Sequence, residues 1–382
     1  MGAIVLKTFN VGILGFGFIG RVHAYGYRNL PLFYDPVPLK ARLTYVVTSR
    51  PETAEAARQV IGADAAATDF RAVTENPAID IVHICTPNHL HKEALLSAIA
   101  HQKHVYCDKP LVVDMAEAEQ VRAALANYQA TGQMTFQNRF FPATMRARQL
   151  VASGALGKIL AFRAAYLHGG SAPAATPLKW RLTAEAGAGT IADLGSHVLD
   201  LVDWLIGPFQ SIMAATQIAY PERPLPGEPN KMRSVDVEDS VLLLAKTPAG
   251  ALGSMEATKL ASGSEDEIRL EIHGSAGALR FNGMDPHHLE FHDATAPDQP
   301  MGGWRGWNRI DCGQRYLPPA TNFPSPKAAV GWLSSHVACL ANFLTAVAAG
   351  QPAEPSLGQG IRVQHLMECV RRSAAEGRWC DV

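Results

Sequence analysis

The sequence lacks an excess of charge of either sign and any long apolar run, and each absence excludes a class of protein. Its 382 residues include 34 Lys and Arg against 35 Asp and Glu, and the formal net charge is −1. This balance provides no broad attraction for nucleic acid or anionic lipid. No apolar stretch is expected to span a bilayer, so we expect no membrane partner.

Closely spaced cysteines are also missing, since none forms the C-x-x-C pair that zinc and redox sites usually contain. The six are Cys85, Cys107, Cys312, Cys339, Cys369 and Cys380. We expect reduced, mostly structural thiols and no metal site. Near the N-terminus, the apolar patch at residues 4–6 is too short for a secretory signal, and Leu6 stands where a myristoylation motif needs Ser or Thr. The expected location is the cytoplasm.

What the sequence does contain, in its first third, is an alternation of short β-rich runs with longer helical patterns. Strands are predicted over residues 11–14, 43–48, 81–85, 104–107 and 133–136, and helices over 19–28, 52–61, 91–100 and 115–131. This alternation is typical of a parallel sheet covered by crossover helices. The sequence therefore predicts a doubly wound α/β domain over residues 1–137.

From residue 138 the pattern changes to strands with few helices between them. After a helix over 142–153, strands are predicted over 158–167, 212–219, 240–245, 251–258, 268–273 and 278–281, and helices over 335–349 and 359–376. Residues 169–177, 220–229 and 285–326 are interpreted as loops. The pattern predicts a second, α+β domain over residues 138–382 with a large, mostly antiparallel open sheet.

The first predicted strand runs directly into a glycine-rich turn. Its sequence is Gly15-Phe16-Gly17-Phe18-Ile19-Gly20. In this context Gly15 permits the turn, Gly17 lets the backbone approach a pyrophosphate, and Gly20 lets the helix pack close to the strand. The helix N-terminus offers amide donors and positive potential to phosphates. The turn predicts a dinucleotide site on a Rossmann fold, with Phe18 and Ile19 also beside the cofactor.

The end of the second strand, where the adenosine ribose is expected, has no carboxylate. It reads Thr48-Ser49-Arg50-Pro51, where an NAD site commonly places Asp or Glu. Ser49 and Arg50 could instead bind a 2'-phosphate, which favours NADP. If Arg50 is only a solvated turn residue, the cofactor is NAD. Both cofactors stay open.

Two further polar segments follow predicted strands, at the sheet edge where parallel α/β folds bind ligands. They are Thr86-Pro87-Asn88-His89-Leu90-His91 and Cys107-Asp108-Lys109-Pro110-Leu111. Downstream, Asp193 and His197 stand four residues apart, which places them on one face if the segment is helical. The apolar residues that follow point toward the core, so Asp193, His197 and Asp200 form the polar side.

Taken together, these motifs resemble the Gfo/Idh/MocA family of oxidoreductases, named for glucose-fructose oxidoreductase and inositol dehydrogenase. The glycine turn, T-P-N-x-x-H, an E-K-P tripeptide and D-x-x-x-H make up the shared pattern, and the likeness covers nearly the whole chain. Around Trp180 and Arg181, residues 187–197 and 235–239, the layout is similar to the family's sugar and anhydrosugar dehydrogenases, including those acting on levoglucosan. One position departs, because Asp108 replaces the family's Glu with a side chain one methylene shorter.

The resemblance implies catalytic roles for Lys109, Asp193 and His197. Lys109 would contact the reacting hydroxyl, and its charged form is disfavoured when it is desolvated beside a cationic nicotinamide. His197 can exchange the alcohol proton near neutral pH, and Asp193 can bind substrate or hold the charged state. We expect Lys109 and His197 on opposite walls of one cleft.

Further residues are predicted to line the site. Cofactor contacts are expected from Thr86, Pro87, Asn88, His91, Asp108, Lys109 and Asn138. Substrate contacts are expected from Lys109, Asn138, Arg139, Trp180, Arg181, Asp193 and His197, because polar groups and an indole face suit a polyol. Arg139 could instead pair with a carboxylate between domains, and Trp180 could simply anchor its loop. Gln137, His168, His287 and His288 are interpreted as surface or loop residues.

The expected reaction is hydride transfer between a secondary alcohol of a sugar, anhydrosugar or polyol and C4 of NAD or NADP, without a metal. One alternative is a glycosidase that uses NAD for transient oxidation and elimination. Another is a cofactor-binding regulator without turnover. The resemblance also implies that the open sheet of the second domain makes homodimers or homotetramers.

Overall fold

A computed structural model of the chain describes residues 7–382 apart from 304, 314–317, 322 and 326, and leaves the side chain of Arg181 outside the description. The described residues form two compact units. The first unit comprises those of Met1–Phe140, Leu317–Ala328 and Trp332–Arg362, and the second those of Phe141–Tyr316, Ala329–Gly331 and Val363–Val382. The predicted boundary after Gln137 lies near this division, but the sequence pattern did not predict that C-terminal segments belong to the first unit.

The first unit is built on a parallel sheet. Its strands are β1 (Thr8–Leu14), β2 (Lys40–Val47), β3 (Ala65–Ala67), β4 (Ile81–Ile84), β5 (His104–Cys107) and β6 (Gly132–Met134). They lie in the order β3-β2-β1-β4-β5-β6, and every pair is parallel. This is the doubly wound order of dinucleotide-binding domains, so the predicted Rossmann fold is confirmed.

Helices connect these strands. They are α1 (Phe18–Phe33), α2 (Pro51–Ile61), α3 (Arg71–Thr74), α4 (His91–Ala100) and α5 (Met115–Leu125). Local sequence sets several of their ends. Pro51 occupies the first turn of α2, where a missing N–H costs nothing. The Asp114 carboxylate accepts the Glu117 N–H at 2.8 Å and so caps α5.

The second unit is built on a mostly antiparallel sheet. Its elements are α6 (Pro142–Ala152), β7 (Ile159–Leu167), α7 (Ser196–Ile206), β8 (Ser211–Gln217), β9 (Glu222–Leu225), β10 (Glu228–Ser234), β11 (Ser240–Lys246), β12 (Leu252–Thr258), β13 (Glu267–Gly274), β14 (Gly277–Asn282), β15 (His288–Asp293), β16 (Asn308–Asp311) and β17 (Cys380–Asp381). Among the described residues the sheet order is β16-β15-β14-β13-β7-β12-β11-β8-β17, and only β12 and β7 pair in parallel. The predicted α+β class is confirmed.

Two of the predicted loops contain strands. Residues 220–229 include β9 and the start of β10, which form a separate antiparallel hairpin. The sequence of β10 does not alternate between apolar and polar residues, because every residue of this strand is exposed. Residues 285–326 include β15 and β16, which extend the large sheet at one edge. The third predicted loop, at 169–177, contains no strand among its residues, all of which the structure describes.

Two helices follow the sheet, α8 (Trp332–Ala349) and α9 (Leu357–Glu376). By length and composition α8 could span a membrane, with a mean hydropathy of 1.3 over 18 residues, which differs from the sequence-based expectation. In the structure 56% of that stretch is buried. Leu340, Phe343 and Leu344 pack with Val11 and Ile13 in the core of the first unit. Core packing therefore accounts for the apolar character of α8.

The second unit contains a buried ion pair. The side chains of Arg223 and Asp239 are both 0% exposed, and their closest charged atoms lie 3.4 Å apart. The Arg223 guanidinium also donates to the carbonyls of Ser171 at 2.7 Å and Pro173 at 3.1 Å. Asp239 Oδ2 also accepts a hydrogen bond from the Ala219 N–H at 3.1 Å. The pair therefore joins β9, the loop at 169–177 and the start of β11.

We expect Asp239→Asn to lower the free energy of unfolding by about 3–5 kcal/mol, because the substitution leaves the Arg223 charge buried without its partner. Denaturant unfolding monitored by circular dichroism measures the change. Asp64→Asn is the matched control, since Asp64 pairs with Arg42 where both side chains are more than half exposed, and it should cost less than about 1 kcal/mol. Equal losses in the two variants would contradict the prediction.

Candidate functional site

The glycine turn has the geometry that a dinucleotide requires. Gly15 has a φ of 89°, and a Cβ on it would lie 2.6 Å from the Cys85 carbonyl oxygen. At Gly20 a Cβ would lie 2.3 Å from the Gly15 carbonyl oxygen, so the helix packs directly on the turn. A Cβ on Gly17 would meet no atom within 4 Å, which leaves the backbone open to a ligand. These residues fit a bound pyrophosphate at the start of α1.

An aromatic contact borders this turn. Phe18 is 69% exposed, and its ring centroid lies 5.7 Å from that of Trp332 at the start of α8. Ile19, by contrast, is partly buried and packs against the core. Trp332 could not be predicted from the sequence, because the return of α8 to the first unit leaves no local signal.

Behind the turn lies a buried polar cluster. Tyr27 Oη is 2.7 Å from His83 Nε2, and His23 Nδ1 is 3.2 Å from His83 Nδ1 and 3.1 Å from Cys85 Sγ. Burial lowers the pKa of His23 to about 3, lowers that of His83, and raises that of Cys85. The donor atoms of His23, His83 and Cys85 lie within 4.8 Å of one another, a spacing that could hold a metal. In the structure these three side chains contact one another directly.

His91 connects the two loops at the strand ends. It is 0% exposed, with Nε2 2.8 Å from the Thr86 carbonyl and Nδ1 3.0 Å from the Pro110 carbonyl. Burial, opposed by these backbone hydrogen bonds, gives a net lowering of the pKa of His91. Both ring nitrogens therefore face backbone oxygens, so His91 contacts both the loop of Thr86 and the loop of Lys109. Its predicted contact with the cofactor stays a prediction.

The other predicted cofactor residues of these loops lie at the expected sheet edge. Thr86, Pro87, Asp108 and Lys109 are partly buried, and Asn88 is buried. The Asp108 N–H donates to the Ile84 carbonyl at 2.9 Å, which continues the pairing of β4 with β5. The shorter Asp108 carboxylate thus follows the end of β5, as its place in the sequence predicted. Direct cofactor contacts by these side chains stay predictions.

Ser49 and Arg50 form an exposed bend at the end of β2. Arg50 caps α2, and its carbonyl accepts the hydroxyls of Thr48 at 3.1 Å and Thr53 at 2.9 Å. The backbone of the bend is therefore fixed while both side chains remain accessible. The contact of Arg50 with a 2'-phosphate stays a prediction, and the choice between NAD and NADP stays open.

Asn138 and Arg139 lie in a buried 3-10 turn, Gln137–Phe140. Arg139 is 5% exposed, and its Nη1 lies 3.5 Å from Gln359 Oε1 on α9. This contact is to an amide, and pairing of Arg139 with a carboxylate stays an alternative to a substrate contact. Gln137 is 4% exposed, so it is a buried residue of this connecting turn and not a surface residue. Substrate contacts by Asn138 and Arg139 stay predictions.

Asp193 and His197 lie where a π-helical turn, Ile191–Gly195, passes into α7. The predicted helix is thus α-helical only from Ser196. Glu238 holds the start of the turn: its Oε1 accepts the Ile191 N–H at 2.7 Å, and its carbonyl accepts the Thr190 N–H at 3.1 Å. Since π turns occur mostly as single turns at functional sites, this one supports the predicted importance of Asp193 and His197.

Sequence reasoning missed a cation beside Asp193. The Lys259 Nζ lies 3.0 Å from Asp193 Oδ2, and the side chains are 9% and 24% exposed, respectively. His197 is 4% exposed. The two members of the Lys259–Asp193 pair are far apart in the sequence, so no local pattern could have indicated it.

A second carboxylate lies near His197. The His197 ring meets Tyr166 edge-on at 5.6 Å, and Tyr166 Oη donates to Asp266 Oδ1 at 2.6 Å. His168 Nε2 reaches the same oxygen at 2.9 Å. Burial alone would raise the pKa of Asp266, but hydrogen bonds from His168 and Tyr166 outweigh it and the net pKa is lowered. His168 is therefore not a simple loop residue, because it belongs to this group.

The remaining predicted residues lie elsewhere in the second unit. Trp180 is 37% exposed in a 3-10 turn, where its carbonyl accepts the Thr183 hydroxyl at 2.8 Å. The side chain of Arg181 lies outside the described residues. His287 and His288 pair with Asp311 and Asp285, each at 2.8 Å. The placement of Lys109 and His197 on opposite walls of one cleft stays a prediction.

Comparisons with known proteins agree with this geometry. Residues 9–136 match a family model described as an oxidoreductase family with an NAD-binding Rossmann fold. Residues 144–280 match the GFO/IDH/MocA C-terminal domain. The chain belongs to the Gfo/Idh/MocA oxidoreductase family. The resemblance inferred from the motifs is thereby confirmed, and the family's Rossmann domain binds NAD.

Individual members of the family match over the full length. Levoglucosan dehydrogenase of Pseudarthrobacter phenanthrenivorans is 32% identical, with 99% of each chain covered. Inositol 2-dehydrogenase of Rhizobium meliloti is 26% identical over 98% of this chain and 99% of its own. A solved structure of levoglucosan dehydrogenase with NADH and levoglucosan superposes with a TM-score of 0.91 at 32% identity, covering 98% of this chain and 100% of the other.

We expect Arg50→Glu to lower kcat/KM for NADP more than for NAD, because a carboxylate at the end of β2 repels the 2'-phosphate. Loss of one charge-assisted hydrogen bond corresponds to a selectivity change of about tenfold to a hundredfold. Initial rates with both cofactors measure it. Arg28→Glu is the control, since Arg28 is an exposed residue on α1 whose guanidinium binds the Val60 carbonyl. If the ratio of kcat/KM for NAD to kcat/KM for NADP is unchanged in Arg50→Glu, a contact of Arg50 with the adenosine ribose is excluded.

Proposed function

We propose that the protein is an NAD-dependent dehydrogenase that oxidises a secondary alcohol of a small sugar, with levoglucosan and related anhydrosugars as the first substrates to test. The relative with 32% identity over 99% of both chains is named a levoglucosan dehydrogenase. Solved structures of such an enzyme hold NADH with levoglucosan or with L-sorbose. These likenesses support a small sugar as the substrate class.

The observation that carries the proposal is the turn with Asp193 and His197. The Asp193 carboxylate, which pairs with the Lys259 ammonium, and the nearly buried His197 imidazole lie within one segment. Glu238 holds the start of that segment. Imidazole exchanges protons near neutral pH, and a carboxylate accepts hydrogen bonds from hydroxyl groups. This set can bind a polyol and remove a hydroxyl proton.

The mechanism assigns these tasks to residues of this chain. Lys109 and His197 handle the proton of the reacting hydroxyl, and Asp193 orients the sugar by accepting its hydrogen bonds. Gly15, Gly17 and Gly20 let the backbone at the start of α1 hold the pyrophosphate. When bound, the nicotinamide supplies a hydride acceptor at C4. His91 keeps the loops of Thr86 and Lys109 together.

The proposal is tested by following NADH and NADPH formation with levoglucosan, L-sorbose, glucose and inositols. We expect net NADH formation with at least one of them, and a kcat reduced by about 10²-fold or more in Lys109→Met and in His197→Asn. His288→Asn is the control, because His288 pairs with Asp285 in the same unit and has no proposed role in the reaction.

Two outcomes would contradict this proposal. Release of an aglycone or second sugar without net cofactor reduction would identify a glycosidase that uses transient oxidation. Binding of NADH without turnover of any of these sugars would favour a cofactor-binding regulator.

We also propose that the protein is a cytoplasmic homodimer or homotetramer that assembles through the outer face of its large sheet. On β11 the side chains alternate between core and solvent, and Leu242 and Leu244 are 58% and 45% exposed. Leu252, on neighbouring β12, is 50% exposed. An apolar patch of this kind favours association. Light scattering should give a mass that is a multiple of the 41.1 kDa chain mass. The double variant Leu242→Glu/Leu244→Glu should have a lower mass than the wild type. A monomeric wild type would refute the assembly.

A further inference from the structure

Lys259 is a nearly buried lysine that faces a carboxylate of the proposed reaction. Its side chain is 9% exposed, and its ammonium lies 3.0 Å from Asp193 Oδ2. An ordered lysine loses much of its rotamer freedom, and a buried ammonium without a partner is costly. The contact with Asp193 compensates both, since hydrogen bonds between charged groups are among the stronger ones in proteins.

The backbone around Lys259 is held on both sides. Its N–H donates to the Asp239 carbonyl at 2.9 Å, and its carbonyl accepts the Ser171 N–H at 2.9 Å. Asp239 is itself fixed by the buried pair with Arg223. The ammonium group therefore projects from a rigid point immediately after β12 rather than from a flexible loop.

Asp193, in contrast, lies on a π turn whose start is held by Glu238, through the carboxylate to the Ile191 N–H and through the carbonyl to the Thr190 N–H. A π turn has hydrogen bonds from residue i to residue i+5, and such a turn persists where its surroundings support it. Pairing through Oδ2 fixes the direction of the Asp193 side chain. A carboxylate has about four acceptor positions, so one carboxylate can accept hydrogen bonds from several donors at once.

Lys103 shows what a purely structural lysine looks like in this chain. Counted over the whole residue, Lys103 and Lys259 are each 7% exposed. The ammonium of Lys103, however, donates to the carbonyls of Asn76 at 2.6 Å and Ile79 at 2.8 Å. These partners are neutral backbone groups in the first unit. Lys103 is therefore a matched control for Lys259, because the two residues are equally buried and only the partner of the ammonium group differs.

We propose that Lys259 is a positioning residue for sugar oxidation, whose ammonium group holds the Asp193 carboxylate in the direction that binds the substrate hydroxyls. The assignment rests on the proposed dehydrogenase function. Lys259 acts through Asp193, so removing its charge impairs sugar binding and turnover and leaves cofactor binding unchanged.

The test compares full-length wild type with Lys259→Met, Lys259→Arg, Asp193→Asn, the Lys259→Met/Asp193→Asn double variant and Lys103→Met. We expect Lys259→Met to lower kcat/KM for the sugar by about tenfold to a hundredfold and to leave KM for NAD unchanged. Lys259→Arg should restore part of the loss. The double variant should have a kcat/KM for the sugar less than about threefold below that of Asp193→Asn alone, because the losses from two residues that act together are not additive.

Lys103→Met should lower the thermal midpoint and leave kcat/KM unchanged. If Lys259→Met does not fold, Lys259→Gln takes its place in the same comparison. Wild-type kcat/KM in Lys259→Met, or full additivity with Asp193→Asn, would overturn the role of Lys259 while leaving the dehydrogenase intact. A wild type that oxidises no sugar would instead overturn the proposed function itself.

Discussion

The second unit depends on the buried ion pair between Arg223 and Asp239. Because both side chains are 0% exposed, removal of either charge leaves the other buried without compensation. Arg223 also holds the loop that follows β7, while the Asp239 carbonyl holds the backbone of Lys259. Lys259 in turn contacts Asp193. A pair that has no proposed contact with a ligand thus supports the segment on which the proposed chemistry takes place.

Much of the first unit could be predicted from the sequence because its signals are local. The glycine turn follows a strand and opens a helix, so each glycine had a specific geometric task, and the structure shows the close approaches at Gly15 and Gly20. The helix His91–Ala100 and the strand His104–Cys107 have the bounds that their apolar patterns predicted. Local periodicity sufficed because these elements are buried in a regular, parallel order.

The second unit was predicted only in outline, because its important contacts join residues distant in the chain. Asp266 binds His168 across 98 positions and Tyr166 across 100, and no spacing rule covers such distances. The π turn was also beyond prediction, because π turns are rare and the residue that holds its start, Glu238, follows much later in the sequence. His168 therefore looked like a loop residue until its partner was known.

The two units consequently position their functional groups by different means. In the first unit the positions are set by the backbone, through the glycine conformations of the turn and the backbone carbonyls that His91 contacts. In the second, charged side chains hold the site, through Glu238, Lys259 and Asp266. Backbone geometry tolerates many changes of neighbouring side chain, whereas a network of paired charges fails when one member is lost. Substitutions that alter the sugar accepted by this fold can therefore act at residues that touch no ligand.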